Sequence, residues 1–436
     1  MITTVDLRSS DLEDYSFAVP RAQFDVEHAL DAVRPICDAV KKDGIEALKR
    51  FSEQFDHVVP EHFRVQKEAL DEALASLDPE LRAAIEEAIK RRREVCEQAE
   101  KEAAAKTVEL ASGAVVSDKL IPVRRVGLYV PGGLAPLASS VLMNVVPAQV
   151  AGVDSLAVAT PPQREFGGLP HPTTLAVCAL LGVDEVYAVG GAQAIAMFAY
   201  GVSGLCPRAD LVTGPGNIYV VAAKRHLRGA IGIDSEAGPT EIGILADATA
   251  NPAFVAADLI SQAEHDPMAA SVLVTDSLEL AEKVDEEVAT QVERLDTRER
   301  LKVALTGQQS AIVLVRDLDQ GVAVVNDYGA EHLEIQTENA AEVADKITNA
   351  GAIFVGSYSP VPLGDYSAGS THVLPTGGAS RYSSGLNVRS FMRSVHVINY
   401  SQQALAEIGE GIQAFAYAEH LPGHAHAIEI RMQEDE

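Results

Sequence analysis

From Val126 onward the chain repeats one pattern: a short apolar run, a turn, then an alanine-rich helical stretch. The runs VGLYV (126–130), SLAVA (155–159), EVYAV (185–189) and ADLV (209–212) form a first series. EIGILA (241–246), SVLVT (271–275), AIVLV (311–315) and AIFVG (352–356) form a second. Strands that alternate with helices pair in parallel, because each helix carries the chain back across the sheet. The pattern therefore predicts an α/β chain with two Rossmann-like lobes. In such sheets ligands sit beyond the carboxyl ends of the strands. Gly-rich turns fall there, at Pro131-Gly-Gly133, Gly190-Gly191 and Gly214-Pro-Gly-Asn217. Each precedes a helix, whose first N–H groups suit an anion or a cofactor. None completes G-x-G-x-x-G: Tyr219 stands where the third glycine belongs. Spacing alone leaves open whether these turns hold a dinucleotide or only reverse the chain.

The first third of the chain reads as helix. Val26, Leu30, Val33, Val40, Ile45, Leu48 and Phe51 follow helical spacing, with breaks expected near Pro35 and Gly44. Asp78-Pro79 supplies an N-cap and a first-turn proline for a long helix. These early helices are expected to pack on the lobe built from the second series. After about residue 384 the pattern becomes a helix-rich tail with its own polar cluster, an arm.

Asp and Glu number 63 against 35 Lys and Arg, a formal charge of -28. Nucleic acid and anionic membranes require basic patches, so neither is an expected partner. No run of eighteen apolar residues occurs, and acids appear early in MITTVDLRSSDLEDY, which argues for a cytoplasmic protein. Cys37, Cys96, Cys178 and Cys206 form no C-x-x-C pair and read as buried, reduced thiols.

Four stretches are polar where a core reading predicts otherwise. Gln262 and His265 lie three apart in LISQAEHD, close enough on a helix to converge on one ion. Glu331-His332 sits in NDYGAEHLEIQ, and Asp365 precedes His372 in the third stretch. The tail ends in Glu419-His-Leu-Pro-Gly-His424-Ala-His426. Singly, each has an ordinary reading, such as a surface histidine or a turn-capping aspartate. Together, two imidazoles, a carboxylate and a carboxamide suit a zinc-type ion, with a Glu-His pair left for proton transfer. The spacings by themselves form no metal motif, and a zinc hydrolase would use the same residue types.

These stretches sit inside longer blocks: VGLYVPGG, SSVLMNVVPAQVAGV, AVGGAQAIAMFAYG, GPGNIYVVAAKR, AGPTEIGILAD, AADLISQAEHDP, AEHLEIQ, LGDYSAGSTHVLPTGG and AEHLPGHAHAIEIR. In content and order they resemble the histidinol dehydrogenase family, and the N-terminal VRPICDAVKKDGIEALKRFSEQFD is similar too. The resemblance implies zinc held by Gln262, His265 and Asp365, with His424 supplied by the partner of a homodimer. It implies that Thr240 and Glu419 bind L-histidinol beside the metal ligands and His332, with His372 nearby. It makes His332 the general base, Glu331 the activator of water, and Tyr129, Gln193 and Asn217 the contacts to NAD. Three positions depart from the family's common pattern: Thr240 for serine, Leu134 after Pro-Gly-Gly, and His420 for glycine.

The implied fold is two Rossmann-like lobes, one inserted in the other, in an intertwined dimer. Residues 1–25 are an N-terminal segment. Residues 26–125 with 241–383 are a lobe carrying the zinc and Glu-His residues. Residues 126–240 carry the NAD-binding turns, and 384–436 form a helical arm reaching the partner. The implied reaction is oxidation of L-histidinol through L-histidinal to L-histidine with two NAD reduced; the alternative is a homologous dehydrogenase of another primary alcohol. An imidazole of ordinary pKa, about 6.5, is the expected base.

Overall fold

A computed structural model describes residues 1–22, 25–100, 106–132, 136–236 and 238–432. Gly133 and Leu134 lie outside these described residues. Two all-parallel sheets form. The larger has six strands in the order Thr3–Asp6, Ala311–Leu314, Ala270–Thr275, Glu241–Ala246, His332–Gln336, Ala352–Val355. The smaller has five, in the order Val186–Ala188, Ser155–Thr160, Arg125–Tyr129, Leu211–Thr213, Gly232–Ile233. All five lie between the first and second strands of the larger sheet in sequence, so the smaller lobe is an insertion. Thr3–Asp6 pairs with Ala311–Leu314, which makes the N-terminal segment part of the six-stranded lobe.

The early helices correct an expectation. They pack on the inserted lobe: Val26, Ala29, Leu30, Val33, Cys37 and Val40 of the helix Val26–Asp43 share a core with Tyr129, Ala194, Phe198 and Val221. Their buried stripe needs an apolar partner, and that lobe's alanine-rich helices offer a close-fitting one. The same packing carries Val26–Asp43 straight through Pro35; only Gly44, at φ 56°, ends it. Pro79–Val95 begins as expected, with Asp78 accepting from the N–H groups of Glu80 and Leu81.

A third, antiparallel sheet joins Thr107–Ala111 and Ala114–Pro122 to Met392–Tyr400, so the tail is anchored by a strand before its helices Gln402–Ala418 and Pro422–Met432. The expectation of a purely helical arm is corrected to that extent. The arm leaves Ile398, Ile408, Phe415, Tyr417, Leu421 and Ile430 exposed. His420 takes φ 58°, a left-handed conformation that glycine adopts at no steric cost and other residues at about 1 kcal/mol. No helix among the described residues is long and apolar enough to cross a membrane.

Candidate active site

The polar side chains of the six-stranded lobe gather at the amino ends of two adjacent strands, Glu241–Ala246 and His332–Gln336, where the strand order reverses. Asn251 caps the helix Pro252–Ala263, accepting from Ala253 N–H at 2.9 Å, and Pro252 opens its first turn. This helix runs back along the sheet and delivers Gln262 from its last turn. His265 lies just beyond, its N–H reaching Gln262 O at 3.3 Å. The Gln262 Nε2 donates to the Thr240 hydroxyl, which in turn donates to Glu331 Oε2. The same Oε2 accepts from Glu241 N–H at 3.1 Å. His265 Nε2 stands 3.8 Å from Asp365 Oδ2, on the short helix Val361–Tyr366.

His332 is buried. Its Nδ1 lies 3.4 Å from Glu241 O and 3.6 Å from Glu331 Oε2, which leaves the lone pair on Nε2. Among the described residues that Nε2 has no hydrogen-bond partner, and neither has Gln262 Oε1. Burial, with His265 and His372 nearby, depresses the His332 imidazole to about 3, so the base is neutral across the physiological range. The expected ordinary imidazole is thereby corrected, and desolvation of the cation is the cause. Burial lifts Asp365 to about 7 and Glu331 well above the usual carboxyl range, the latter helped by Glu241 and Asp365. His372 bridges the lobes, its Nδ1 at 3.2 Å from Asp365 O and its Nε2 at 3.1 Å from Ser140 Oγ.

A cation fits this cluster. Two buried acceptors without partners and several crowded carboxyls each carry a cost that a divalent ion would remove. The carboxyl end of the helix Pro252–Ala263 also points here, and its dipole favours positive charge. No three His, Cys, Asp or Glu side chains converge among the described residues. One chain supplies Gln262, His265 and Asp365, a set with only one imidazole and one carboxylate.

The smaller lobe meets this cluster with the opposite ends of its strands. Tyr129 ends Arg125–Tyr129, and its buried phenol accepts from Gly191 N–H at 3.0 Å. Gln193 is buried in the first turn of Gly191–Tyr200. Asn217 caps Ile218–Leu227, accepting from Tyr219 and Val220. Gly214 has φ 113°, and a Cβ there would lie 1.9 Å from Tyr129 O, so only glycine allows this approach. Lys224 and Asp234, which the sequence did not single out, clamp it. Lys224 Nζ donates to Gly214 O and to Asp234 Oδ1 at 2.6 Å, and Asp234 Oδ2 accepts from Gly214 N–H at 2.8 Å. The signal available was a lysine inside an otherwise apolar helix, IYVVAAKR.

The model of the histidinol dehydrogenase family matches residues 19–432. The chain belongs to this family. It is 65% identical to the histidinol dehydrogenase of Cutibacterium acnes over 436 residues, 99% of each chain. It is 59% identical to that of Thermobifida fusca, over 100% of this chain and 99% of the other. The crystal structure of histidinol dehydrogenase from Elizabethkingia anophelis matches with a TM-score of 0.92 at 32% identity, over 99% of this chain and 98% of that one. Family membership makes the protein an NAD-dependent oxidoreductase, and the inserted two-lobe fold agrees with it.

Within one chain this histidinol dehydrogenase fold brings together Thr240, Gln262, His265, Glu331, His332, Asp365 and His372. It does not bring Glu419 or His424 to them. Both are exposed on the arm, and among the described residues neither makes a hydrogen bond or ion pair with the cluster.

Proposed function

We propose that the chain oxidises L-histidinol through L-histidinal to L-histidine, reducing two NAD, with Gln262, His265 and Asp365 of one subunit and His424 of the partner subunit holding a zinc ion. The observation that carries this reading is that Gln262 Oε1 and His332 Nε2, both buried, have no hydrogen-bond partner among the described residues: one is an acceptor for a metal and the other for a proton. When bound, zinc would orient the substrate by its nitrogens and hold the aldehyde between the two steps. NAD, against Tyr129, Gln193 and Asn217, supplies the hydride acceptor.

The chain's own residues then divide the work. His332 Nε2 takes the hydroxyl proton in each oxidation, and its Nδ1 is held toward Glu241 O. The imidazolium formed lies 3.6 Å from Glu331 Oε2, and that charge, together with a bound cation, would ionise the carboxyl that burial otherwise keeps protonated. Glu331 Oε2 is engaged by Thr240 and Glu241, which leaves Oε1 to draw a proton from the water that hydrates the aldehyde. The Thr240 hydroxyl donates to Glu331 already, so toward substrate it offers a lone pair. Glu419 of the partner subunit would bind the substrate, with His372 nearby.

The deciding measurement is stoichiometry with product analysis. About two NADH per L-histidinol, with L-histidine formed, is expected from the two-step reading. Release of the aldehyde after one NADH would overturn it, and turnover of another primary alcohol with histidinol ignored would assign the chain a different substrate.

A further inference from the structure

Beyond His332 its strand continues into polar side chains that the proposed chemistry does not use. Alternate residues of a strand share a face, so Glu334 and Gln336 follow His332 on one side. They meet Asp258 of the helix Pro252–Ala263. Glu334 is 1% exposed, Gln336 3% and Asp258 8%. Gln336 Nε2 donates to Asp258 Oδ2 at 2.9 Å and to Glu334 Oε2 at 2.8 Å. Glu334 Oε1 accepts from Val361 N–H at 3.0 Å. Both carboxyls thus engage the one Gln336 Nε2; burial raises both above the usual carboxyl range, and the Asp258 charge raises Glu334 further. No Lys or Arg among the described residues pairs with either. Two adjacent carboxylates without a counter-ion do not both ionise, so the pair keeps one proton.

Two leucines would fill this space at less cost. What the carboxyls add is direction, and they tie three segments together. Asp258 lies one turn before Gln262 on the same helix face. Glu334 is two residues beyond His332. Val361 opens the short helix that carries Asp365. We propose that Glu334 and Asp258 are positioning residues that fix Gln262, Asp365 and His332 relative to one another, and so set the affinity of the metal site. This rests on the ligand set proposed above.

The test measures zinc affinity by competition with a chromophoric chelator at pH 7, for wild type, His265→Asn, Glu334→Leu and Glu334→Gln. Wild type binding one zinc per chain, weakened by His265→Asn, upholds the ligand set; failure there sinks that reading, whatever the Glu334 variants do. Given that result, Glu334→Leu is expected to weaken zinc on the order of ten- to a hundredfold in folded protein. Glu334→Gln keeps a donor for Asp258 and an acceptor for Val361 N–H. Gln336, whose Oε1 has no hydrogen-bond partner among the described residues, can turn its amide to suit. Its affinity should stay within about threefold of wild type. Wild-type affinity in Glu334→Leu, or a loss in Glu334→Gln above about tenfold, overturns the proposal. If Glu334→Leu does not fold, Glu334→Gln decides together with infrared difference spectra. A protonated-acid carbonyl band must be present in wild type at pH 7 and missing from the variant; its absence in wild type refutes the shared proton.

Discussion

The two lobes meet with opposite ends of their sheets. The smaller one presents strand carboxyl ends and helix amino ends, with Tyr129, the Gly190-Gly191 turn and the Asn217 cap at its edge. The larger presents strand amino ends and a helix carboxyl end, with Thr240, His332 and Gln262. A helix amino end favours an anion such as a dinucleotide's phosphates, and a carboxyl end favours a cation. One βα architecture thus yields two complementary half-sites, according to which end faces the cleft. With the ligands proposed above, the rule that they lie beyond strand carboxyl ends would hold for one lobe only. A further contrast lies within the site: Gln262, Glu331 and His332 of the larger lobe are buried and Thr240 and Asp365 half-buried, whereas Glu419 and His424 stand exposed on an arm with large bare apolar side chains.

The largest expected effect comes from the larger lobe. His332→Ala should lower the rate of both oxidations by about a hundred- to ten-thousandfold. Glu331→Gln should impair oxidation of the aldehyde far more than that of the alcohol, as single-turnover measurements with each substrate can show. Equal losses in both steps for both variants would remove the division of labour between the two side chains.

The arm is tested by complementation. His265→Ala and His424→Ala, each inactive alone, can be co-expressed and their mixed dimer purified. If the arm completes a neighbour's site, one of two sites in that dimer is whole, and about half of wild-type activity returns. A folded, zinc-supplied mixed dimer without activity would place His424 in its own subunit's site and erase the contrast.

The smallest effect sharpens the contrast between lobes. All four cysteines are buried, and all pack in cores that include the smaller lobe. Burial pushes the Cys37 and Cys178 thiols up to about 12 and raises Cys206 as well. A disulfide reagent at pH 8 should therefore leave the native protein unmodified, and reaction in moderate denaturant should report opening of the smaller lobe. NAD at about a hundredfold over its Kd should slow that reaction by stabilising the lobe by about 2.7 kcal/mol. Thiols that react in native buffer, or no protection by NAD while zinc protects, would assign the dinucleotide elsewhere.

Much of this architecture is legible in the sequence. The apolar runs match all four main strands of the smaller sheet and four of the larger, and Asp78-Pro79 marks a helix start. His332–Gln336 escaped the apolar pattern because His332, Glu334 and Gln336 occupy one face. Only Leu333 and Ile335 carry the alternation, yet the whole strand is buried. Met392–Tyr400 escaped for the opposite reason: mostly exposed, it has no apolar face to announce it. For the site, the candidate residues came from polar stretches and family resemblance. Lys224, Asp234, Glu334 and Asp258 were invisible because a charged residue reads the same in sequence whether it is solvated or paired in a core.

By itself the sequence determined the strand–helix alternation, the parallel sheets and the identities of the reactive side chains, since these follow from local periodicity and chemistry. The tertiary structure alone decided which core the early helices join, which sheet ends face the cleft, and how far burial shifts each proton. Those depend on residues far apart in sequence, 91 positions for Thr240 and Glu331 and 78 for Asp258 and Gln336, and on the loss of water around them. No local pattern encodes the desolvation that makes His332 a neutral base.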